Sequence, residues 1–312
     1  MKTALVAGGA GFVGSHLCDR LVKEGYKVII VDSLVTGRKK NIEHLIDQGV
    51  QFLEKDIANE VLDIKEDIHE IYNMASPASP VDFERIPVYI LATSGHGHRN
   101  LLELAKQKSA RIMFASSSEV YGDAEIHPQP ETYYGNVNCA GARGCYDEAK
   151  RFGEALSMAY RKEFGVETRI VRIFNTYGPR MRPDDGRVIP NFFSQAISGK
   201  KLTVYGDGKQ TRSLCYVEDL VDGIYKLMQS NEWSPVNVGN PTESTILEIA
   251  TYVQETCGSQ NELTFKELPE NDPKLRKPMI EKAQKVLNWQ PKWNLAEGLK
   301  ETHAYFLKEL KN

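Results

Sequence analysis

Tyr146 and Lys150 are the residues of this chain best suited to proton chemistry. They lie in CYDEAKRFGEAL, whose spacing predicts a helix that carries both side chains on one face. A phenol with a pKa of about 10 is a poor base at neutral pH, but a neighbouring ammonium group and a nicotinamide cation would favour the phenolate. The same lysine could hold the ribose of a nicotinamide nucleotide. The pair therefore predicts hydride chemistry at a carbon that bears a hydroxyl group.

A second polar group, ASSSEVYG at residues 115–122, directly follows the apolar run RIMF. The hydroxyls of Ser117 and Ser118 and the carboxylate of Glu119 stand where a short buried strand should end. Position alone leaves two interpretations of Glu119: it takes part in proton transfer, or it caps the next turn.

The segment VAGGAGFVGSHL has the glycine spacing of a dinucleotide-binding loop, G-x-x-G-x-x-G, after the first predicted strand. The glycines are Gly8, Gly11 and Gly14. They permit a tight turn and a close approach of the backbone to a pyrophosphate. The helix that follows, which includes Phe12 and Val13, supplies N–H donors and the positive end of its dipole. Asp32 ends the second strand and is positioned to hold the adenosine ribose hydroxyls.

Asp32 also decides between the two nicotinamide cofactors. Arg38, Lys39 and Lys40 could pair with a 2′-phosphate, but the Asp32 carboxylate would repel one, so NAD is favoured over NADP. Asp56, which ends FLEKD, has two open interpretations. It could bond the adenine amino group, or it could cap the end of its strand.

Apolar runs alternate with helical patterns through the first half of the chain. The predicted strands are TALVAG, KVIIVDS, VQFLEKDI, IHEIYNMA, RIMFASSS and TRIVRIFN, and the predicted helices include Gly14 to Lys23, NLLELAKQ and residues 144–164. This pattern predicts an α/β fold, a Rossmann-type doubly wound parallel sheet with a smaller C-terminal α/β substrate-binding lobe. Residues 1–176 would form the NAD-binding domain, segments near 213–240 would return to it, and 177–312 would form mainly the second lobe. Ligands of such sheets bind beyond the carboxyl ends of the strands, where the polar motifs fall.

Composition excludes several classes of protein. With 41% hydrophobic and 26% charged residues and a net charge of −3, the chain is an ordinary globular one without a basic surface for nucleic acid. It has no run of about 18 apolar residues and no signal peptide, so no membrane association is expected. Five scattered cysteines suit a reducing cytoplasm. His96 and His98 would point apart on a helix, and no third ligand accompanies them, so no metal is expected.

The chain resembles the extended short-chain dehydrogenase/reductases that act on nucleotide sugars, and among them the UDP-glucuronate decarboxylases. The resemblance runs nearly end to end, through GGAGFVGSHL, ASPASP, SSSEVYGD, HPQPETYYGNVN, CYDEAKR, RIFNTYGPRM, DGRVIPNF, VYGDGKQTRS and NDPKLRKP. ASPASP together with YYGNVN and CYDE is most characteristic of the decarboxylase branch. The resemblance implies bound NAD, a UDP-sugar substrate held largely by 177–312, and a homodimer that pairs the 144–164 helix and the NLLELAKQ helix.

The family mechanism maps onto residues of this chain. It implies that Tyr146 removes the C4 hydroxyl proton with Ser117 as hydrogen-bond partner, that the 4-keto sugar loses CO2, and that the same two groups stabilise the enolate. Glu119 would face the C5–C6 side, and Arg276 would engage the sugar carboxylate. The implied catalytic residues are Ser117, Ser118, Glu119, Tyr146 and Lys150. Further implied contacts are Ile57 and Ala75 for the cofactor, and Pro77, Asn175, Arg187, Tyr205, Gln210 and Arg212 for the substrate.

The chain departs from the family pattern at several positions. These are Phe83, Ser94, His98, Cys139, Ala142 and Met279. Phe83 stands where a tyrosine is typical, which removes a possible sugar contact. None of the departures alters Tyr146, Lys150 or Glu119, so they concern the substrate more than the class of reaction.

Other functions remain as alternatives. A 4,6-dehydratase usually has an acid before the glutamate, and Ser118 is a poor general acid. A 4-epimerase needs no carboxylate at position 119, and its tyrosine usually lies in S-P-Y-G-x-S-K. A catalytically silent dinucleotide-binding protein would tolerate loss of Tyr146 or Lys150, and both are present.

Overall fold

The computed structural model describes residues 1–267 and 276–311. The strands are β1 Thr3–Ala7, β2 Lys27–Asp32, β3 Gln51–Glu54, β4 Glu70–Asn73, β5 Arg111–Ser117, β6 Thr168–Ile173, β7 Thr176–Tyr177, β8 Leu202–Tyr205, β9 Thr211–Ser213, β10 Cys215–Tyr216, β11 Val236–Val238, β12 Glu243–Thr245 and β13 Leu263–Lys266. The helices are α1 Phe12–Lys23, α2 Glu43–Ile46, α3 Pro80–Arg85, α4 Pro87–Ala92, α5 His98–Lys108, α6 Gly144–Phe164, α7 Val188–Ile197, α8 Val217–Gln229, α9 Ile246–Cys257, α10 Glu281–Leu287 and α11 Leu295–Lys311. Turns of 3₁₀ helix occupy Lys39–Asn41 and Ser118–Tyr121, and a π-helical turn, Thr93–Gly97, joins α4 to α5.

The main sheet has seven parallel strands in the order β11-β6-β5-β4-β1-β2-β3. Every residue of β1 and of β4 is buried, as expected for central strands covered on both faces. The predicted α/β class with a Rossmann-type parallel sheet is confirmed.

The strand order brings the predicted motifs together. β1 pairs with β2 on one side and with β4 on the other, so strands are added to one side of β1 as far as β3 and to its other side from β4 onward. The carboxyl ends of β1, β4, β5 and β6 therefore lie next to one another. The glycine loop, the ASPASP segment, the serines after β5 and the FNTYGP segment meet at that edge, where ligands of such sheets bind.

Two predicted boundaries differ from those observed. α1 begins at Phe12 rather than Gly14, because Gly11 is already the extended residue that precedes the helix. β3 ends at Glu54, because the chain turns at Asp56, whose carboxylate accepts the Ala58 N–H at 2.9 Å.

The second half of the chain adds small sheets to this frame. β8 pairs with β13, β9 with β12 and β7 with β10, while β11 joins the edge of the main sheet beside β6. β11 lies within the segment near 213–240 that was expected to return to the first domain, and the division into two domains stays a prediction. The motif NDPKLRKP lies partly outside the described residues. Among the helices of the described ranges, none has the length and apolar content to span a membrane.

Candidate active site

Two adjoining cavities open at the carboxyl edge of the sheet, and the predicted site residues line them. The larger, of about 560 Å³, is lined by Ser117, Ser118, Glu119, Tyr146, Lys150, Gly8, Gly11, Phe12, Val13, Gly14, Asn175, Arg187, Tyr205, Gln210, Arg212 and Arg276. The smaller, of about 70 Å³, is lined by Asp32, Asp56, Ile57, Ala75 and Pro77, and it shares Gly8 and Gly11 with the larger one. Pro77, expected at the substrate, thus lies among the residues expected at the cofactor.

α6 carries Tyr146 and Lys150 side by side in a buried setting. The Lys150 ammonium donates to the Ala115 carbonyl at 2.8 Å, and burial lowers its pKa to about 7. Burial raises the pKa of the Tyr146 phenol to about 12, against a hydrogen bond from Ser117 and the charge of Arg187. In the protein without a bound cofactor, burial rather than Lys150 therefore has the largest influence on the pKa of Tyr146, because removing water penalises the phenolate.

The 3₁₀ turn after β5 is capped by a serine. Ser117 is the N-terminal cap of the 3₁₀ turn, and its hydroxyl accepts the Glu119 N–H at 3.3 Å. The capping interpretation thus applies to Ser117 rather than to the Glu119 side chain.

The Glu119 carboxylate instead forms ion pairs with two guanidinium groups. It accepts hydrogen bonds from Arg143 at 2.6 Å and from Arg276 at 3.2 Å. Burial alone would raise the pKa of this carboxyl, but the charges of Arg276 and Arg143 outweigh burial and lower it below its usual value. Glu119 is therefore ionised at neutral pH and is a weak base.

Arg276 is held at the cavity by contacts far apart in sequence. It is only 2% exposed, and it donates to the Ser118 carbonyl at 2.8 Å. The fully buried Gln129 fixes the next residues: its side chain accepts the Lys277 N–H at 2.8 Å and its carbonyl the Met279 N–H at 3.1 Å. Among residues 1–267 and 276–311, the buried Arg276 Nε has no acceptor and the buried Gln210 Oε1 has no donor. Unsatisfied polar atoms on cavity residues suit a polar ligand.

The glycine loop has the geometry that a dinucleotide requires. Gly8 has a φ of +77°, and a Cβ there would lie 2.6 Å from the Ala75 nitrogen. At Gly14 a Cβ would overlap the Gly8 carbonyl. α1 starts after Gly11 with no side-chain cap and no acidic residue in its first turn, so its N–H groups are left for an anion. These residues fit the pyrophosphate of NAD.

Asp32 is buried at the mouth of the smaller cavity. Its carboxylate accepts the Ala10 and Leu34 N–H groups, each at 2.9 Å, while burial raises its pKa. Arg38, considered as a partner for a 2′-phosphate, instead donates to Glu309 at 2.9 Å and to the Tyr305 hydroxyl at 2.6 Å. This arrangement agrees with NAD rather than NADP.

Asp56 caps its own turn, since it accepts from Ala58 N–H and from the Asn59 amide at 2.7 Å. It also lines the smaller cavity, and its contact with adenine stays a prediction.

Two of the departures from the family pattern, Ser94 and His98, are buried. His98 is fully buried and hydrogen-bonds Asn73 at 3.0 Å and Ser157 at 2.8 Å, and burial lowers its pKa to about 3. Ser94 is buried, and its hydroxyl lies 3.4 Å from that of Ser76. Within residues 1–267 and 276–311, no three His, Cys, Asp or Glu side chains are grouped so as to bind a metal.

Three residues of the site were not predicted from the sequence. Arg143 pairs with Glu119; it immediately precedes the helix predicted for residues 144–164, three residues before Tyr146, and this proximity was a usable signal. Phe83 stacks on the Tyr146 ring. Asp147 is buried, its Oδ1 has no hydrogen-bond partner in the described part of the chain, and burial followed by the charge of Glu119 raises its pKa to about 7. No local pattern marks the last two.

Fold and site together define a dinucleotide-binding α/β protein with a tyrosine–lysine pair beside a cationic pocket. Residues 4–239 match the NAD dependent epimerase/dehydratase family, and the chain belongs to that family.

Relatives and solved structures extend this comparison. The chain is 50% identical over 312 residues to UDP-glucuronic acid decarboxylase 1 of Xenopus tropicalis, covering 100% of this chain and 73% of that protein. It is 50% identical over 296 residues to UDP-glucuronic acid decarboxylase 2 of Arabidopsis thaliana, covering 95% of this chain and 66% of that protein. The UDP-glucuronic acid 4-epimerase of Bacillus cereus, solved with UDP-glucuronic acid and NAD, superposes with a TM-score of 0.88 at 27% identity, covering 99% of both chains. The UDP-glucose 4-epimerase of Thermotoga maritima gives 0.91 at 29% identity, with the same coverage. The predicted family is confirmed.

Proposed function

We propose that this protein is an NAD-dependent decarboxylase that converts UDP-glucuronate to UDP-xylose through a 4-keto sugar. The observation that carries the proposal is the buried Arg276, paired with Glu119 on the same cavity as Tyr146 and Ser117. A guanidinium group is suited to a sugar carboxylate, and here it lies beside a proton carrier. The 50% identity to UDP-glucuronic acid decarboxylases supports the same substrate.

NAD would be held by the glycine loop and α1 at the pyrophosphate, by Asp32 at the adenosine ribose and by Lys150 at the nicotinamide ribose. When bound, it accepts a hydride from C4 of the sugar and later returns it. The cofactor would therefore stay bound through each cycle.

The chain's own groups handle the protons and the negative charge. Tyr146 takes the proton of the C4 hydroxyl as a phenolate, a form that the positive charge of a bound nicotinamide would favour against burial. The Ser117 hydroxyl donates to the C4 oxygen. The C5–C6 bond of the resulting β-keto acid then breaks, CO2 leaves, and the electron pair remains as a C4–C5 enolate. Tyr146 and Ser117 donate to the enolate oxygen while C5 takes a proton from water, and Tyr146 then returns its proton to the C4 oxygen as the ketone is reduced. Arg276 orients the carboxylate before it leaves.

Glu119 serves this reaction as an anion that holds Arg276 and Arg143 in place. Its lowered pKa makes it a poor proton carrier at neutral pH. Ser118 contributes through its backbone carbonyl, which accepts from Arg276, and it stands where a dehydratase usually has an acid. The 4,6-dehydratase alternative is therefore disfavoured.

The decisive experiment incubates purified protein with UDP-glucuronate and NAD+ and identifies the sugar by mass spectrometry and NMR. We expect a product lighter by one CO2 and no accumulation of NADH. A product of unchanged mass would instead identify a UDP-glucuronate 4-epimerase, and no reaction would overturn both. Loss of turnover in Tyr146→Phe shows that the signal comes from this site.

We also propose a homodimer and a cytoplasmic location. α4 packs against α6, and together they expose Val88 (77%), Leu91 (46%) and Phe152 (53%), an apolar face suited to a second copy of the chain. The NLLELAKQ segment lies in α5, which continues from α4. All five cysteines fall within the described residues and are free thiols, as a reducing compartment favours. Sedimentation of wild type and Phe152→Asp tests the dimer: the variant should be monomeric.

A further inference from the structure

The ring of Phe83 lies directly on the ring of Tyr146. The two centroids are 4.9 Å apart, and the ring planes differ by 20°. Phe83 is only 5% exposed, and with Ile90, Tyr146 and Ala149 it forms a small buried apolar cluster. The phenol that is expected to move a proton therefore packs against a side chain that has no polar atom.

Phe83 also contacts the charged side of the site. The Arg143 guanidinium lies 5.4 Å from the centroid of the Phe83 ring, and the same guanidinium donates to Glu119. One aromatic ring thus touches both the proton carrier and a member of the ion-pair cluster.

The helix that carries Phe83 is firmly anchored. The neighbouring Asp82, 1% exposed, pairs with Arg85 at 2.8 Å and with Arg182 at 3.0 Å. The hydroxyl of Ser79, which precedes α3, donates to the Asp185 carbonyl. The Arg182 and Asp185 contacts tie α3 to the loop that carries Arg187, so the position of Phe83 does not depend on Tyr146 alone.

We propose that Phe83 is a positioning residue that holds the Tyr146 phenol toward Ser117 and keeps water from its ring. The inference rests on the proposed function for the role of Tyr146. Stacking restricts rotation of the Tyr146 ring, and small misplacement of a reacting group costs rate steeply. The exclusion of water agrees with burial as the largest influence on the pKa of Tyr146. The phenylalanine, noted above as a departure that removes a sugar contact, thus acquires a role of its own.

Three variants separate this role from a merely structural one. Phe83→Tyr keeps the stacked ring, Phe83→Leu keeps apolar volume without the ring, and Phe83→Ala removes both. We expect kcat for UDP-glucuronate to fall about 3- to 10-fold in Phe83→Leu and about 10- to 100-fold in Phe83→Ala, with Phe83→Tyr within about threefold of wild type. KM should change little, since in this proposal Phe83 acts through Tyr146 and not by binding the substrate. Melting temperatures tell whether each variant is folded, and Phe83→Leu carries the test if Phe83→Ala does not fold.

A second measurement does not depend on turnover. The absorbance of tyrosinate is titrated in wild type and in Phe83→Ala or Phe83→Leu, each against its own Tyr146→Phe partner, so that the difference isolates Tyr146. We expect Tyr146 to ionise at lower pH once Phe83 is replaced, because water then reaches the phenol. The proposal would be overturned by an unchanged titration or by an unchanged kcat in Phe83→Ala. It would also be overturned by a rise in KM alone, or by a Phe83→Tyr variant as impaired as Phe83→Ala. Absence of turnover in wild type would overturn the proposed function and leave the titration to decide on Phe83.

Discussion

Replacing Glu119 with glutamine tests how the carboxylate at the centre of the cavity is used. The substitution keeps the shape of the side chain and removes its charge. One carboxylate oxygen, Oε2, accepts from both Arg143 and Arg276, and a glutamine oxygen in its place could still accept from both. What is lost is the negative charge that the two guanidinium groups face.

The magnitude follows from those two ion pairs. The guanidinium groups can still donate to the glutamine oxygen, but they lose their counter-charge, and removing one partner of a buried ion pair costs about 3–5 kcal/mol. At about 1.5 °C per kcal/mol for a chain of 312 residues, the melting temperature at pH 7.5 should fall by about 4–8 °C. The folded-state pKa of Glu119 is lowered, so its stabilisation is present above the pKa of the unfolded chain, about 4, and is lost as the pH falls through the lower folded value. The difference between wild type and E119Q should therefore shrink at pH 3.5.

The kinetic expectation separates an anchoring anion from a proton carrier. We expect kcat of E119Q to fall by about 10- to 100-fold, because Arg276 loses its charged partner, while the ascending limb of the pH–kcat profile stays in place. The assay is release of CO2 from UDP-glucuronate across pH 5.5 to 9. Glu309→Gln is the matched control, since Glu309 is similarly buried (side chain 14% against 13% exposed) and pairs with Arg38 and Lys40. It should lower the melting temperature by less than E119Q does, because its partner Lys40 is half exposed, and change kcat by less than about threefold. Disappearance of the ascending limb in E119Q would refute the reasoning and make Glu119 the proton carrier.

Three further predictions concern the rest of the site. Tyr146→Phe should lower kcat by about 10²–10⁴-fold while the protein still binds NAD in isothermal titration calorimetry, and retained turnover would contradict its role as base. Gly8→Ala should destabilise the fold by about 1–2 kcal/mol in urea unfolding and abolish NAD binding, because φ is +77° and the added Cβ would approach Ala75 to 2.6 Å; unimpaired NAD binding would place the pyrophosphate elsewhere. The pKa of Asp147 is raised to about 7, so its stabilising contribution is present below about pH 4 and is lost as the pH rises through about 7. Asp147→Asn should therefore raise the melting temperature, by more at pH 8.5 than at pH 5.5, and an equal effect at both pH values would show that this carboxyl titrates normally.

Local patterns in the sequence were sufficient for the parallel sheet and for two parts of the site. The spacing of Tyr146 and Lys150 needs only a helix to bring the side chains together, and α6 supplies it. The glycines after β1 and Asp32 at the end of β2 are set by neighbouring elements. These features were predictable because the contacts that create them span one helical turn or one strand–helix unit. Even there, the start of α1 and the end of β3 differ from the prediction, because the turns at Gly11 and Asp56 do not follow from the spacing of apolar residues.

Tertiary structure alone decided how the polar groups are used. The sequence left Glu119 as either a proton carrier or a cap. Its ion pair with Arg276, which lies more than 150 residues away, is set by the fold and supports our proposal that Glu119 is an anchoring anion. Phe83 was expected only as a missing sugar contact, and its stack on Tyr146 depends on how α3 docks against α6. Likewise, Lys150 was expected to set the pKa of the Tyr146 phenol, whereas burial by the surrounding elements has the largest influence on it. Periodicity encodes which face of an element is buried, but pKa values and long-range ion pairs depend on distances between elements, and only the assembled chain fixes those distances.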